Sequence, residues 1–198
     1  MLKIRHYAKP KSAIGIRMRL LGIFAKTYKR NQVLAEALYD TTIHEARILA
    51  TPISEPKIIS INTVDKWVHE FNSWDLCDKA CSNVFVKTSF ALQLPLRYRN
   101  DKREYLNRCA YVMIAYISVH LKKLNDNELL PFLKIIKENT LDDRNFVKKA
   151  AHWALRTINK RNAYLMHYTI KTCNEMQDPK DKTKRWVATQ ALKELKKK

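Results

Sequence analysis

The scarcity of glycine limits what this chain can fold into more than any other feature does. Only Gly15 and Gly22 occur among 198 residues, and the six prolines stand singly. Sheet-rich folds need many tight turns, and those turns depend on glycine and proline. Apolar residues instead recur with helical spacing along most of the chain. The sequence therefore predicts an all-α protein.

About ten helices are expected, of roughly 10 to 20 residues each, joined by short loops. They fall at about 15–29, 31–39, 44–51, 56–61, 64–71, 73–90, 101–122, 128–137, 144–160, 163–176 and 183–196. Without a long-range heptad register, such helices favour antiparallel pairs stacked into an α-α superhelix, a HEAT-like solenoid with a basic concave groove. A compact bundle is the alternative. We expect a basic N-terminal arm over 1–14 and a single domain over 15–198.

The net charge of +19 points to a polyanionic partner. Nucleic acid is the first expectation, and an acidic protein or a membrane surface is the second. The four cysteines show no CxxC spacing, which predicts reduced core residues and no metal. The longest apolar run is too short to span a bilayer, and the N-terminus lacks the apolar segment of a signal peptide. These features predict a cytoplasmic protein.

The stretch from Ser73 to Asp78 is the first candidate for chemistry. Ser73 is a natural N-cap, and Trp74 and Asp78 stand one turn apart at the edge of the apolar face of the helix that follows. One ligand could therefore touch both side chains. The alternative is a capped helix in which Asp75 complements the helix dipole and Trp74 belongs to the core.

A basic helix over 144–160 is the second candidate. Its cations fall within one arc, and a row of cations rising one per turn can neutralise successive phosphates. Trp153 falls at the seam between that arc and the apolar face, where an indole can lie against a sugar or a base. A solvated outer face with a boundary tryptophan is the alternative. The row consists of Lys148, Lys149, His152, Arg156 and Lys160.

Several segments together resemble one family. The ordered blocks at 44–50, 67–78, 143–150 and 153–162 are similar to the DNA alkylation repair family, the AlkD-like HEAT-repeat DNA glycosylases. The similarity runs from about Gly15 to the region of Leu195. It implies monofunctional excision of N3- or N7-alkylated purines, such as 3-methyladenine and 7-methylguanine, from duplex DNA in base excision repair. It implies no base flipping, no cofactor and a monomeric enzyme.

The resemblance also assigns roles to individual residues. Asp78 falls on the family's catalytic aspartate, and Trp74 and Trp153 fall on its two catalytic tryptophans. Arg156 and Arg108 fall on arginines that contact DNA. Two other functions stay open at this point, a HEAT-like module that binds DNA without catalysis and a helical scaffold for an acidic protein partner.

Residue chemistry is consistent with these roles. N-alkylation makes the purine cationic and a good leaving group, so the enzyme has to stabilise the positive charge that grows on the sugar. A carboxylate near C1′ does so electrostatically, and two indoles assist through their π faces. No lysine is needed as a nucleophile, so we expect neither a Schiff base nor strand nicking.

Overall fold

The computed structural model describes residues 12–195, and within that range the chain forms eleven α-helices and no β-strand. Much of the expected N-terminal arm lies outside the described residues. The helices are α1 Met18–Tyr28, α2 Gln32–Asp40, α3 His44–Ile53, α4 Ile61–His69, α5 Trp74–Asn83, α6 Leu94–Tyr98, α7 Glu104–His120, α8 Asp126–Asn139, α9 Asn145–Asn159, α10 Ala163–Glu175 and α11 Lys182–Leu195.

The odd-numbered helices form one continuous layer. Helix α1 packs on α3, α3 on α5, α5 on α7, α7 on α9 and α9 on α11. The even-numbered helices cover the other side of this layer, with α2 against α3, α6 against α7, and α8 and α10 against α9. Such stacking of successive helix pairs is the architecture of a solenoid. The predicted all-α HEAT-like superhelix is confirmed.

Helix α7 is the centre of the core, as its nearly continuous apolar sequence predicts. Every residue from Leu106 to Ala115 is buried, and Ile117 is fully buried as well. A second part of the core forms where Trp67 of α4 stacks on Tyr39 of α2, with 4.4 Å between ring centroids. The Tyr39 hydroxyl donates a hydrogen bond of 2.7 Å to the Trp67 carbonyl, so the phenol is satisfied inside the core.

The segment that precedes α1 is attached to α3. Buried Glu45 accepts hydrogen bonds from the backbone N–H groups of Ile14, at 3.0 Å, and Gly15, at 2.7 Å. Gly15 has a φ of 88°, a conformation that a residue with a side chain adopts only with strain. One of the two glycines is therefore placed where the chain must turn towards Glu45.

Helix α3 extends beyond its predicted end. A stop was expected near Thr51 because proline disfavours a helical residue before it, but the helix includes Pro52 and ends at Ile53. Pro52 cannot donate a hydrogen bond to the Ile48 carbonyl. The Thr51 hydroxyl donates to that carbonyl instead, at 2.9 Å, so the carbonyl keeps a hydrogen-bond partner.

Three other boundaries were wrong. The segment 56–61 is a turn rather than a short helix, and α6 lies where a plain connection was expected. Helix α5 ends at Asn83, not near Ser89 or Phe90, because Val84 leaves the helical conformation with φ −121° and ψ −65°. The chain then forms a short 3-10 turn at Phe85–Lys87, which allows Phe85 to pack against Phe71 in the core.

Within residues 12–195, no helix has the length and apolar character needed to cross a membrane.

Candidate active site and nucleic-acid interface

Ser73 begins the helix that carries the candidate catalytic residues. Its hydroxyl accepts a hydrogen bond of 3.4 Å from the Leu76 N–H, and the Asp75 carboxylate accepts a second bond from the same N–H at 3.0 Å. These contacts satisfy a donor that would otherwise be unpaired in the first turn. The capped start of α5 fixes the positions of Trp74 and Asp78 one turn apart. Trp74 is half-buried rather than part of the core.

A pocket of about 430 Å³ opens beside this helix. Contributions from α1, α3, α5 and α7 meet there, so it lies on the layer of odd-numbered helices. Its wall combines carboxylates, aromatic rings and one lysine, which is a suitable lining for a cationic, planar ligand. The lining residues are Met18, Ile48, Trp74, Asp75, Asp78, Lys79 and Tyr116.

Asp78 is held by a paired hydrogen bond from Arg108. The guanidinium donates from Nε to Oδ1 at 3.0 Å and from Nη2 to Oδ2 at 2.8 Å. Its third nitrogen, Nη1, donates to the Phe146 carbonyl at the start of α9, at 2.6 Å. Arg108, on α7, is thus hydrogen-bonded to residues of both α5 and α9. Only 8% of its side chain is exposed, compared with 17% for Asp78, so it positions the carboxylate rather than extending into solvent.

Burial changes the proton affinity of this pair. Burial disfavours the charged form of Asp78, and this effect is larger than the attraction of Arg108 for that charge. The pKa of Asp78 is therefore raised to about 6. Burial also opposes the charge on Arg108, but attraction to Asp78 outweighs it and raises the pKa of the guanidinium. Both groups are therefore ionised at neutral pH. Asp78 is a charged carboxylate in a poorly solvated site, where its field on a ligand is strong.

Asp75, the second carboxylate in the pocket, behaves differently. Burial tends to raise its pKa, but hydrogen bonds from His44 and Ser73 outweigh that effect and lower it. The His44 contact joins Nε2 and Oδ2 at 3.1 Å, and the His44 side chain is buried. The pocket therefore holds two neighbouring carboxylates whose pKa values are pushed apart. Such a difference is typical of functional sites.

Trp153 on α9 lies next to the pocket rather than in its lining. Its ring meets the Tyr116 ring edge to face, with 5.1 Å between centroids, and Tyr116 itself lines the pocket. Tyr116 therefore lines the pocket together with Trp74 and also packs against Trp153. Trp153 is half-buried, so part of its ring remains accessible to a ligand.

The predicted row of cations on α9 is only partly free, because α11 packs along it. Lys148 lies 5.0 Å from the centre of the Trp186 ring, and Arg156 pairs with Glu194 at 3.7 Å. Lys149 and Lys160 are exposed and remain available for phosphate. The helical projection sorted charge from core correctly, but it could not show that a later helix covers part of the charged face.

Sequence reasoning missed Tyr116, Lys79 and Met18 as lining residues. Tyr116 had a recognisable signal, since a phenol in the otherwise apolar run of α7 must place its hydroxyl at a polar edge. It also missed the partner of Asp78, because Arg108 was expected to contact DNA. A contact between residues 30 positions apart cannot be read from helical spacing.

Three cysteine sulfurs gather beside this site. Cys77 precedes Asp78 in sequence, Cys109 follows Arg108, and Cys81 lies one turn further along α5. All three side chains are fully buried, and their sulfur atoms lie within 4.8 Å of one another. They are the group of side chains in the described part of the chain that is best suited to hold a metal ion.

The structure is that of a helical-repeat protein with an aromatic and acidic cleft beside exposed cations. Comparison with known proteins assigns the family. The model of the family described as "DNA alkylation repair enzyme" matches residues 3–195. The chain therefore belongs to the DNA alkylation repair family.

A solved structure has the same fold, with a TM-score of 0.72 and 18% sequence identity. The match covers 93% of this chain and 83% of that one. That structure is described as "A new family of proteins related to the HEAT-like repeat DNA glycosylases with affinity for branched DNA structures". No curated protein matches the chain in sequence.

Proposed function

We propose that this protein is a monofunctional, monomeric DNA glycosylase that removes cationic N3- or N7-alkylated purines from duplex DNA. Asp78, Trp74 and Trp153 act on the lesion, and the exposed cations of α9 hold the backbone. The observation that carries the proposal is the pocket in which Trp74 and the ionised, mostly buried Asp78 face one space. Membership of the DNA alkylation repair family supports the substrate class.

Asp78 serves the reaction through its charge. As the bond between C1′ and the alkylated purine breaks, positive charge moves from the base to the sugar. A carboxylate in a poorly solvated site stabilises that charge, and it can orient the water that attacks C1′. The bond electrons leave with the base, which departs neutral. Water adds to C1′ and releases a proton, so the products are free base and an abasic site.

The aromatic residues and Arg108 serve the reaction through position. Trp74 and Trp153 present π faces to the cationic nucleoside, and Tyr116 supports Trp153 from the side. Arg108 keeps Asp78 in one orientation through two hydrogen bonds. In this arrangement, Arg108 acts through Asp78 and does not need to touch phosphate.

Single-turnover release of 7-methylguanine from methylated duplex DNA tests the proposal. Asp78→Asn keeps the shape of the side chain and removes its charge, so release should slow by roughly 10² or more, equivalent to about 3 kcal/mol, while DNA binding changes little. Asp65→Asn is the matched control, because Asp65 is also bound by an arginine and its side chain is 19% exposed. It should release base at the wild-type rate.

A second function is favoured by one specific observation. Both carboxylate oxygens of Asp78 already accept hydrogen bonds from Arg108, as in a purely structural pair. The protein would then bind DNA without cutting it, and the similar structure is described as having affinity for branched DNA. Wild-type protein that releases no methylated base, yet binds a four-way junction more tightly than a linear duplex of equal length, would establish this function instead.

A further inference from the structure

The cysteine cluster beside the candidate active site has the dimensions of a three-sulfur ligand set. The Cys81 and Cys109 sulfurs lie 3.6 Å apart, and no pair among the three exceeds 4.8 Å. Three sulfurs bound symmetrically to one centre at about 2.3 Å are separated by at most about 4.0 Å. Small side-chain rotations would therefore bring all three sulfurs to a common centre. The geometry comes from α5, which supplies two cysteines one turn apart, and from α7, which supplies the third.

Coordination number limits which centre can occupy this cluster. Zinc in a structural site takes four ligands, but no fourth histidine, cysteine or carboxylate joins the group among residues 12–195. All three side chains have zero exposure, so a water ligand would have to enter a closely packed interior. The site therefore favours a thiophilic centre whose coordination is complete with three sulfur ligands.

Charge limits the choice further. Three thiolates around a monovalent ion carry a net charge of −2, around a divalent ion −1, and around a trivalent centre zero. An uncompensated charge in a buried site is costly. The adjacent arginine, Arg108, is already paired with Asp78. The neutral complex is therefore the favoured one.

We propose that Cys77, Cys81 and Cys109 form a binding site for trivalent arsenic, taken up as arsenite. Arsenous acid, As(OH)₃, reacts with the three thiols to give one As(SR)₃ centre and three molecules of water. Three As–O and three S–H bonds break while three As–S bonds and three O–H bonds form. Arsenic stays trivalent, so no oxidant or reductant is needed. Soft sulfur donors are the ligands that such a centre prefers.

Occupancy of this site has a structural consequence. Cys77 is adjacent to Asp78, and Cys109 is adjacent to Arg108, so drawing the sulfurs together pulls on both members of the ion pair. Arsenite should therefore change the geometry of the pocket as well as bind to the core. The binding site itself does not depend on the proposed glycosylase function.

Intact-protein mass spectrometry of reduced protein, refolded with arsenite to give access to the core, tests the site. Wild-type protein should gain one arsenic and lose three hydrogens, and its melting temperature should rise. Cys81→Ala and Cys77→Ala each remove one of the three sulfur ligands. Loss of a residue that only holds a ligand in place lowers affinity roughly 10- to 100-fold, and each of these variants should lose more than that. Cys173→Ala is the control, because Cys173 is a buried thiol on α10 outside the cluster, and it should bind like wild type.

Three results would overturn the proposal. The first is wild-type protein that gains no arsenic during refolding. The second is equal binding by wild type and by Cys81→Ala protein with normal helical circular dichroism. The third is stoichiometric binding of Cd²⁺ through all three sulfurs with higher affinity than arsenite, since this would assign the cluster to a divalent ion. Activity is not needed for any of these readouts, so failure of the glycosylase proposal would be recognised separately.

Discussion

Two aspartate–arginine pairs in this molecule use the same hydrogen bonds and have opposite properties. Asp65 pairs with Arg97, and Asp78 pairs with Arg108, each through Nε and Nη2. The carboxylates are similarly exposed, at 19% and 17%, but the Arg97 side chain is 51% exposed and that of Arg108 only 8%. The pKa of Asp65 is lowered, whereas that of Asp78 is raised to about 6.

The difference shows that an arginine partner does not decide the proton affinity of a carboxylate by itself. Burial disfavours both anions, but hydrogen bonds from Arg97 and Tyr98 outweigh it at Asp65. At Asp78 the arginine partner is buried as well, so the carboxylate is more completely removed from solvent and desolvation prevails. A raised pKa means that the folded protein holds the ionised Asp78 at some cost in stability. Retaining such a charge beside a pocket is typical of a functional site.

The largest expected difference between the two aspartates concerns stability. Above pH 6 the ionised Asp78 destabilises the folded state, so Asp78→Asn should leave stability unchanged or raise it, by at most about 3 kcal/mol. The gain should be small near pH 4, where Asp78 is protonated in the folded state. It should develop between about pH 4 and pH 6, where the unfolded chain is ionised and the folded one is still protonated, and be complete above about pH 6. Asp65→Asn should instead lower stability by roughly 1 kcal/mol or less at neutral pH. Urea unfolding of both variants at about pH 4 and pH 8 measures these changes.

A fall of about 3 to 5 kcal/mol in the stability of Asp78→Asn, with an unchanged rate of base release per folded molecule, would contradict this expectation. It would mean that Arg108 needs its counter-ion and that the pair is structural, like that of Asp65.

The next expected effect is a difference in base release between a tryptophan variant near Asp78 and one elsewhere in the molecule. Trp153→Ala removes the ring that packs on Tyr116 and should slow base release roughly tenfold, about 1.4 kcal/mol, because one wall of the cleft is removed. The control is Trp186→Ala, a half-buried tryptophan on α11 that does not line the pocket, which should release base normally. Far-UV circular dichroism should be unchanged in both. An unfolded Trp153→Ala protein would place that indole in the core instead.

The smallest effect separates free cations from paired ones. Replacing exposed Lys149 and Lys160 by alanine should reduce the log–log salt slope of duplex binding by about 0.9 for each phosphate that the variant no longer neutralises. Lys134→Ala is the control, because this exposed lysine lies on α8, one of the even-numbered helices that cover the other side of the layer. Fluorescence titration at several salt concentrations gives the slope. A slope that falls in the control and not in the double variant would move the DNA surface to another face.

The sequence predicted the helices well wherever local signals decide them. Helix α8 begins after Asn125, which forms a capping box with Glu128, and α7 is buried on most sides as its composition indicates. Prediction failed where a distant contact or a local side-chain bond overrides the usual preference. The Thr51 hydroxyl stabilises the helix around Pro52, and burial of Phe85 ends α5 early.

For the candidate site, the sequence could name residues but could not show how they are arranged. Trp74 and Asp78 share a pocket because helical spacing alone places them one turn apart. Their relation to Arg108, Tyr116 and Cys109 depends on how α5 packs on α7, and no periodicity within one helix contains that information. A cytoplasmic location and a monomeric state stay predictions.

The pH dependence of base release reports the ionisation of Asp78 during the proposed reaction, so it shows whether the charge of this carboxylate promotes bond cleavage. Single-turnover release of 7-methylguanine, corrected for spontaneous loss, should fall as pH is lowered and reach half of its maximum near pH 6, with the slope of one proton. In Arg108→Gln the absence of the attractive cation should move this midpoint to higher pH, whereas Arg97→Gln should leave it in place. Release that is constant from about pH 5 to pH 8 in all three proteins would show that base release does not depend on the charge of Asp78.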